Sequence, residues 1–179
     1  MTESALSLAP KATELLRLHQ APDILQVINV WDAISAKVVT EVPGTAALAT
    51  ASHSIAASQG YADGENIPLE EMIDAVRRIA AATTLPVSAD LEAGYGNPGE
   101  TVRQAIGVGI VGANIEDQMR PLGDAVALMS SAVRAAEAEG IDFVLNARTD
   151  AFLKGKDRDP AAVLADAIER GRAYLDAGA

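Results

Sequence analysis

Five short, nearly continuous apolar runs, Gln26 to Trp31, Ala47 to Ser52, Pro86 to Leu91, Ala113 to Asp117 and Phe143 to Thr149, punctuate the chain. Continuous apolarity over so few residues predicts parallel strands buried on both faces. Between the runs the spacing changes. Leu69, Met72, Ile73, Val76 and Ile79 recur at helical intervals, as do Val126, Met129, Val133 and Ala136, and then Val163, Leu164, Ala167 and Ile168. These predict amphipathic helices, each with one apolar stripe. A first helix, roughly Lys11 to His19 within residues 1–20, precedes the first strand.

The punctuation fits these elements. Pro68, Pro98 and Pro160 stand where a first helical turn begins, and Gly44 and Gly140 follow helix ends. The strand starts are separated by 21, 39, 27 and 30 residues, long enough for right-handed βαβ crossovers. Two architectures satisfy that pattern, a (β/α) barrel and an open doubly wound sheet. Neither G-x-G-x-x-G after the first strand nor G-x-x-x-x-G-K-[ST] anywhere is present, so a nucleotide-binding sheet is disfavoured and the barrel preferred. No linker or low-complexity tract divides the chain, which reads as a single domain over residues 1–179.

Composition narrows the chemistry. With 179 residues, 49% of them hydrophobic, the chain has enough apolar surface for a core, and no apolar run is long enough for a membrane helix. There is no cysteine, which excludes disulfides, thiolate metal sites and a thiol nucleophile. The start MTESALSLAP lacks the features of a signal peptide, so a cytoplasmic location is expected. A net charge of −11 opposes binding to nucleic acid or an anionic membrane. The same acidity suits a divalent cation.

Polar residues gather at the strand ends, where a barrel builds its active site. Asp32, before a helical pattern, reads as an N-cap. His53 has two readings, a general base and a hydrogen-bonded structural group. In ADLEAGYG, Asp90 and Glu92 stand two apart, on one side of an extended segment, and a capping role accounts for only one of them. Glu116 arrives at the next strand end, so carboxylates from adjacent strands can surround one hard cation, directly or through water. Arg148 ends a buried strand and requires an anionic partner, either a neighbouring carboxylate or that of a substrate.

Five ordered segments, NVWDAISA, ATASHSIAASQGYADGE, PVSADLEAGYG, GANIEDQ and FVLNARTDAF, resemble the isocitrate lyase and phosphoenolpyruvate mutase superfamily from about Val27 onward. The resemblance implies a (β/α)8 TIM-type barrel, of which this chain covers about the first five strands. It also implies a Mg²⁺-dependent lyase or decarboxylase, with Mn²⁺ as a substitute, acting on small 2-oxo or 2-hydroxy carboxylates through an enolate. Phosphoenolpyruvate mutase or phosphonopyruvate hydrolase activity is the enzymatic alternative, and an inactive barrel fragment the non-enzymatic one.

By the same resemblance Asp90 lies closest to the metal, and Asp63, Glu92 and Glu116 hold its water shell. Arg148, Glu116 and Asp63 become the catalytic residues, while Thr50, Ala51, Ser52 and Arg148 hold the substrate. The expected partner is a small carboxylate, and the full-length form is expected to be a homo-oligomer. Two departures stand out. Isocitrate and methylisocitrate lyases carry a loop cysteine where Gln118 to Leu122 stand here, and the chain stops where a sixth strand is expected. A native product extending beyond Ala179 is therefore expected.

Overall fold

The computed structural model describes residues 3–179. Its five strands are β1 (Ile28–Val30), β2 (Leu48–Thr50), β3 (Val87–Asp90), β4 (Gly112–Glu116) and β5 (Val144–Arg148). They form one parallel sheet in the order β1-β2-β3-β4-β5. A doubly wound sheet reverses its direction of strand addition, and this one never does. The helices are α1 (Glu3–His19), α2 (Ala33–Thr40), α3 (Ser52–Ser58), α4 (Leu69–Ala81), α5 (Pro98–Gly107), α6 (Leu122–Glu139), α7 (Ala151–Lys154) and α8 (Pro160–Asp176). Along one face of the sheet α2 packs on α4, α4 on α5, α5 on α6 and α6 on α8.

Local signals explain most boundaries. Asp32 caps α2 by accepting from the Ser35 N–H at 2.7 Å, and the Ser35 hydroxyl receives the Asp32 N–H in return. Pro98 and Pro160 open α5 and α8, and Gly140 ends α6 with φ 74°, a left-handed conformation that costs glycine little. Four strands are shorter than the apolar runs marking them, and β4 equals its run in length but starts one residue earlier. At β2 the reason is chemical: the chain leaves the sheet after Thr50, and Ser52 opens α3 while binding a side chain on β3. The first helix runs back to Glu3 with Pro10 inside it, and so begins earlier than the expected Lys11.

The strands are also less symmetric than their sequence suggests. Val87, Ala89, Ala113, Ile115 and Leu145 are buried in the core with Ile55, Met72, Val76, Ile79, Val102 and Met129. Their neighbours Ser88, Asp90, Asn114, Glu116, Asn146 and Arg148 alternate onto the opposite, concave face. This face is polar, not apolar. Leu15 of α1 lies against it, so close that a Cβ at Gly112 would stand 2.7 Å from Leu15 Cδ2. Among the described residues no helix is long and apolar enough to cross a membrane.

Candidate active site

The register brings the polar strand ends level. Asp90 pairs with Asn114, Asn114 with Asn146, and Glu116 with Arg148, so side chains of equal phase stand beside one another on the concave face. They border a cavity of about 320 Å³ to which Asn29, Thr50, Asp90, Asn114, Asn146 and Arg148 contribute.

Asp90 is held from two sides. Its Oδ2 accepts from the Ser52 hydroxyl at 2.6 Å and the Ser52 N–H at 3.1 Å, while Oδ1 accepts from Asn114 Nδ2 at 3.2 Å. Asn114 is itself oriented by Asn146, whose Nδ2 donates to Asn114 Oδ1 at 2.9 Å. The Asp90 N–H donates to Thr50 Oγ1 at 2.9 Å. Among the described residues Asp90 has no ion-pair partner, and every group contacting it is neutral.

Arg148 supplies the positive charge. Its Nη2 lies 2.7 Å from Glu116 Oε2, and Nε donates to Asp150 Oδ1 at 2.9 Å. Burial acts against the guanidinium, but Asp150 and Glu116 outweigh it and hold its pKa above the usual value. Glu116 is shifted for a different reason: burial raises its pKa above its ordinary value, Arg148 opposes the rise, and Asp150, Asp90 and Glu92 add to it. The acids are thus close enough to feel one another's charge.

Glu92 does not join Asp90. Its φ of 52° ends the extended alternation at Asp90 and turns the side chain, which is buried, toward the loop before α4. There it accepts from the Glu65 N–H and from the Tyr95 hydroxyl at 3.1 Å. Glu65 Oε1 in turn receives the Tyr95 N–H at 2.6 Å. Burial raises the Glu92 pKa, with Asp63 and Glu65 adding their charges. Asp63 itself is exposed in the turn of that loop. Among the described residues no three acidic or histidine side chains converge tightly enough to hold a metal ion on their own.

The backbone of Thr50, Ala51 and Ser52 borders this cluster, but its donors are engaged: the Ala51 N–H donates to Val30 O at 3.1 Å and the Ser52 N–H to Asp90. His53 is exposed on α3. Sequence reasoning missed Asn114 and Asn146, although their spacing of two from Glu116 and Arg148 places them on the same face. It also missed a buried cluster behind the rim. Asp117, just after β4, accepts from Tyr174 Oη at 2.6 Å and Arg170 Nη1 at 3.2 Å, both on α8. It takes the N–H groups of Met119 and Asp150 at 2.8 and 3.1 Å as well.

Residues 15–179 match the sequence model of the phosphoenolpyruvate phosphomutase family. The chain belongs to the phosphoenolpyruvate mutase/isocitrate lyase superfamily. It is 31% identical to the isocitrate lyase of Haloferax volcanii over 94% of this chain and 51% of the relative. It is 33% identical to an oxaloacetate decarboxylase of Rhodopseudomonas palustris over 84% of this chain and 54% of that protein. A crystal structure from Burkholderia cenocepacia, provisionally described as a phosphonomutase, superposes with a TM-score of 0.89 at 42% identity, covering 94% of this chain and 72% of that one. The chain thus spans about half the length of the curated relatives it matches.

Proposed function

We propose that the sheet is part of a (β/α)8 barrel and that the protein is a Mg²⁺- or Mn²⁺-dependent lyase or decarboxylase of small 2-oxo or 2-hydroxy carboxylates, working through an enolate. One observation carries this reading. Asp90, a carboxylate with only neutral hydrogen-bond partners among the described residues, opens onto the same cavity as Arg148, whose Nη1 makes no hydrogen bond among those residues.

The donor set fits a hard cation. Mg²⁺ keeps several waters and takes one or two carboxylates directly. That suits Asp90 as the inner ligand, with Glu116 on the adjacent strand and Glu92 and Asp63 farther out as acceptors for its water. When bound, the cation supplies positive charge against the negative charge that develops on a substrate oxygen. The chain's own groups do the rest. Ser52 and Asn114 fix the Asp90 carboxylate before substrate arrives, so little reorganisation is needed. Arg148 presents Nη1 to the substrate carboxylate while Glu116 holds Nη2. For the backbone of Thr50 to Ser52 to join, the Ser52 N–H must exchange Asp90 for substrate.

The loop after β4 selects among reactions. Gln118 has no acidic proton, and the Arg120 guanidinium, which donates to Gln118 Oε1 at 3.3 Å, is neither a thiol nor a carboxylic acid. A general acid worth ~10² to 10⁴ in rate is therefore lacking from this loop. Cleavage that leaves a carbanion on the departing fragment needs such an acid, whereas loss of CO₂ from a β-keto acid does not. Oxaloacetate-like substrates are favoured, in keeping with the decarboxylase relative.

The test uses protein expressed from its complete gene with Mg²⁺. Pyruvate release from oxaloacetate above the rate with Mg²⁺ alone is expected, with little glyoxylate from isocitrate. Isocitrate turnover at lyase-like rates would overturn the reading. The family description and the Burkholderia cenocepacia structure favour carbon–phosphorus chemistry as the second reading, so phosphonopyruvate belongs in the same experiment, followed by phosphorus NMR.

A further inference from the structure

Arg148 has five N–H donors, and the structure distributes them unevenly. The Nε–H goes to Asp150 Oδ1 at 2.9 Å, and Nη2 lies 2.9 Å from the same oxygen. Nη2 also meets Glu116 Oε2 at 2.7 Å. The side edge of the guanidinium, the usual place for a two-pronged carboxylate, is therefore closed by a residue of this chain. Nη1 remains.

Asp150 is only 2% exposed, and its position is enforced from behind. Its N–H donates to Asp117 Oδ1 at 3.1 Å, and Asp117 Oδ2 takes the Tyr174 hydroxyl and Arg170. Arg170 is anchored in turn by Asp166, 2.8 Å from its Nε, and donates to the Arg120 carbonyl at 3.0 Å. A continuous set of buried hydrogen bonds thus runs from α8 through Asp117 to the backbone of Asp150, whose carboxylate grips Arg148.

We propose that Asp150 is the positioning residue for Arg148: by occupying the Nε side of the guanidinium it turns Nη1 into the cavity, so that a substrate carboxylate is received end-on, between Nη1 and the Nη2 edge shared with Glu116. The Asp117–Tyr174–Arg170 cluster holds Asp150 in place. An ion pair serving stability alone has no need of this arrangement, because Glu116 already neutralises Arg148 from the neighbouring strand. Asp150 adds direction. Removing it frees the guanidinium to rotate its side edge onto Glu116 and to withdraw Nη1 from the cavity.

The inference rests on Arg148 receiving the substrate carboxylate, and the experiment separates the two. Wild type, Asp150→Asn, Asp150→Glu and Arg148→Lys are compared in the complete protein for kcat and KM with oxaloacetate, for oxalate affinity in the presence of Mg²⁺ by calorimetry, and for thermal midpoint. Asp150→Asn is expected to raise KM and weaken oxalate binding tenfold or more with kcat changed less than threefold, and Asp150→Glu to recover part of the loss. Folding is checked by the thermal midpoint, and oxalate affinity is measured below it. If Arg148→Lys leaves KM and oxalate affinity unchanged, the role of Arg148 itself falls. If Arg148→Lys weakens both while Asp150→Asn binds oxalate as wild type does, or loses kcat and KM in equal measure with no rescue by Glu, the positioning role of Asp150 is wrong and that of Arg148 stands.

Discussion

Removing one oxygen from Tyr174 tests whether the cluster behind the rim is as stabilising as its geometry indicates. Asp117 and Tyr174 are both buried, and their 2.6 Å hydrogen bond joins residues 57 apart in sequence, tying the end of β4 to α8. Burial and the adjacent Asp117 carboxylate push the Tyr174 phenol up to about 12, so its hydroxyl keeps its proton at neutral pH and donates. Tyr174→Phe keeps the ring and its packing and deletes only that donor. A hydrogen bond to a charged group contributes ~1.5 to 3 kcal/mol. Arg170 and two backbone N–H groups still face the carboxylate, so it is not orphaned, and the loss belongs near ~2 kcal/mol. For a chain of this size that corresponds to roughly 4–8 °C in Tm. Urea unfolding followed by far-ultraviolet circular dichroism is the assay, with the midpoint expected to fall and the slope unchanged. Arg77→Ala, which breaks an exposed contact with Asp74 on α4, is the control, because solvent-exposed ion pairs contribute little. If Tyr174→Phe costs no more than that control, the cluster does not fasten α8 to the sheet.

Two further outcomes follow from the rim. Asp90→Ala is expected to weaken binding of Mg²⁺ with oxalate by tenfold or more, on the order of 1.4 kcal/mol, and equal affinity in calorimetry would remove Asp90 from the metal site. The second concerns acid. Burial raises the Asp117 pKa, but the hydrogen bonds from Tyr174, Met119 and Asp150 outweigh it and hold the carboxyl below its ordinary value. The stability it contributes is complete above the unfolded pKa of about 4 and is lost as pH falls through the lower folded value. Asp117→Asn should therefore be less stable at neutral pH and should show a flatter decline below about pH 4; an acid limb as steep as that of wild type refutes the assignment.

Periodicity and spacing revealed the strands because parallel strands are short apolar runs joined by amphipathic helices, and both properties are local. The strand-end acids and Arg148 were legible for the same reason, since the residue type changes abruptly where a strand leaves the core. Asp32 as an N-cap followed from its position before α2. Where Glu92 points was not legible: alternation assumes extended backbone, and the left-handed turn at φ 52° breaks it. The hydrophobic reading of the strands also hid their polar face, because Ala89, Ala113 and Ala147 make a half-polar strand look apolar. Least visible was the Asp117 cluster, whose members lie 53 and 57 residues apart and meet only when α8 packs back on the sheet.

Arg148 carried two readings in the sequence, a structural ion pair and a substrate fork, and the geometry makes them complementary. The register places Glu116 directly beside it on β4, which supplies the structural partner, while Arg148 also lines the cavity. Charge then becomes the decisive quantity. Asp90, Glu116 and Asp150 face one guanidinium, and although Lys154 Nζ lies 3.9 Å from Asp150, the acids still outnumber the cations. Glu116 records the crowding, since the neighbouring carboxylates add to the rise in its pKa. A carboxylate substrate entering this rim would add more negative charge to a region already holding an excess. On the function proposed above, such an anion would bind only if further positive charge came with it, and a divalent cation at Asp90, which has no ion-pair partner among the described residues, would supply that charge. On this reasoning oxalate affinity must depend steeply on Mg²⁺ concentration in the wild type and hardly at all in Asp90→Ala.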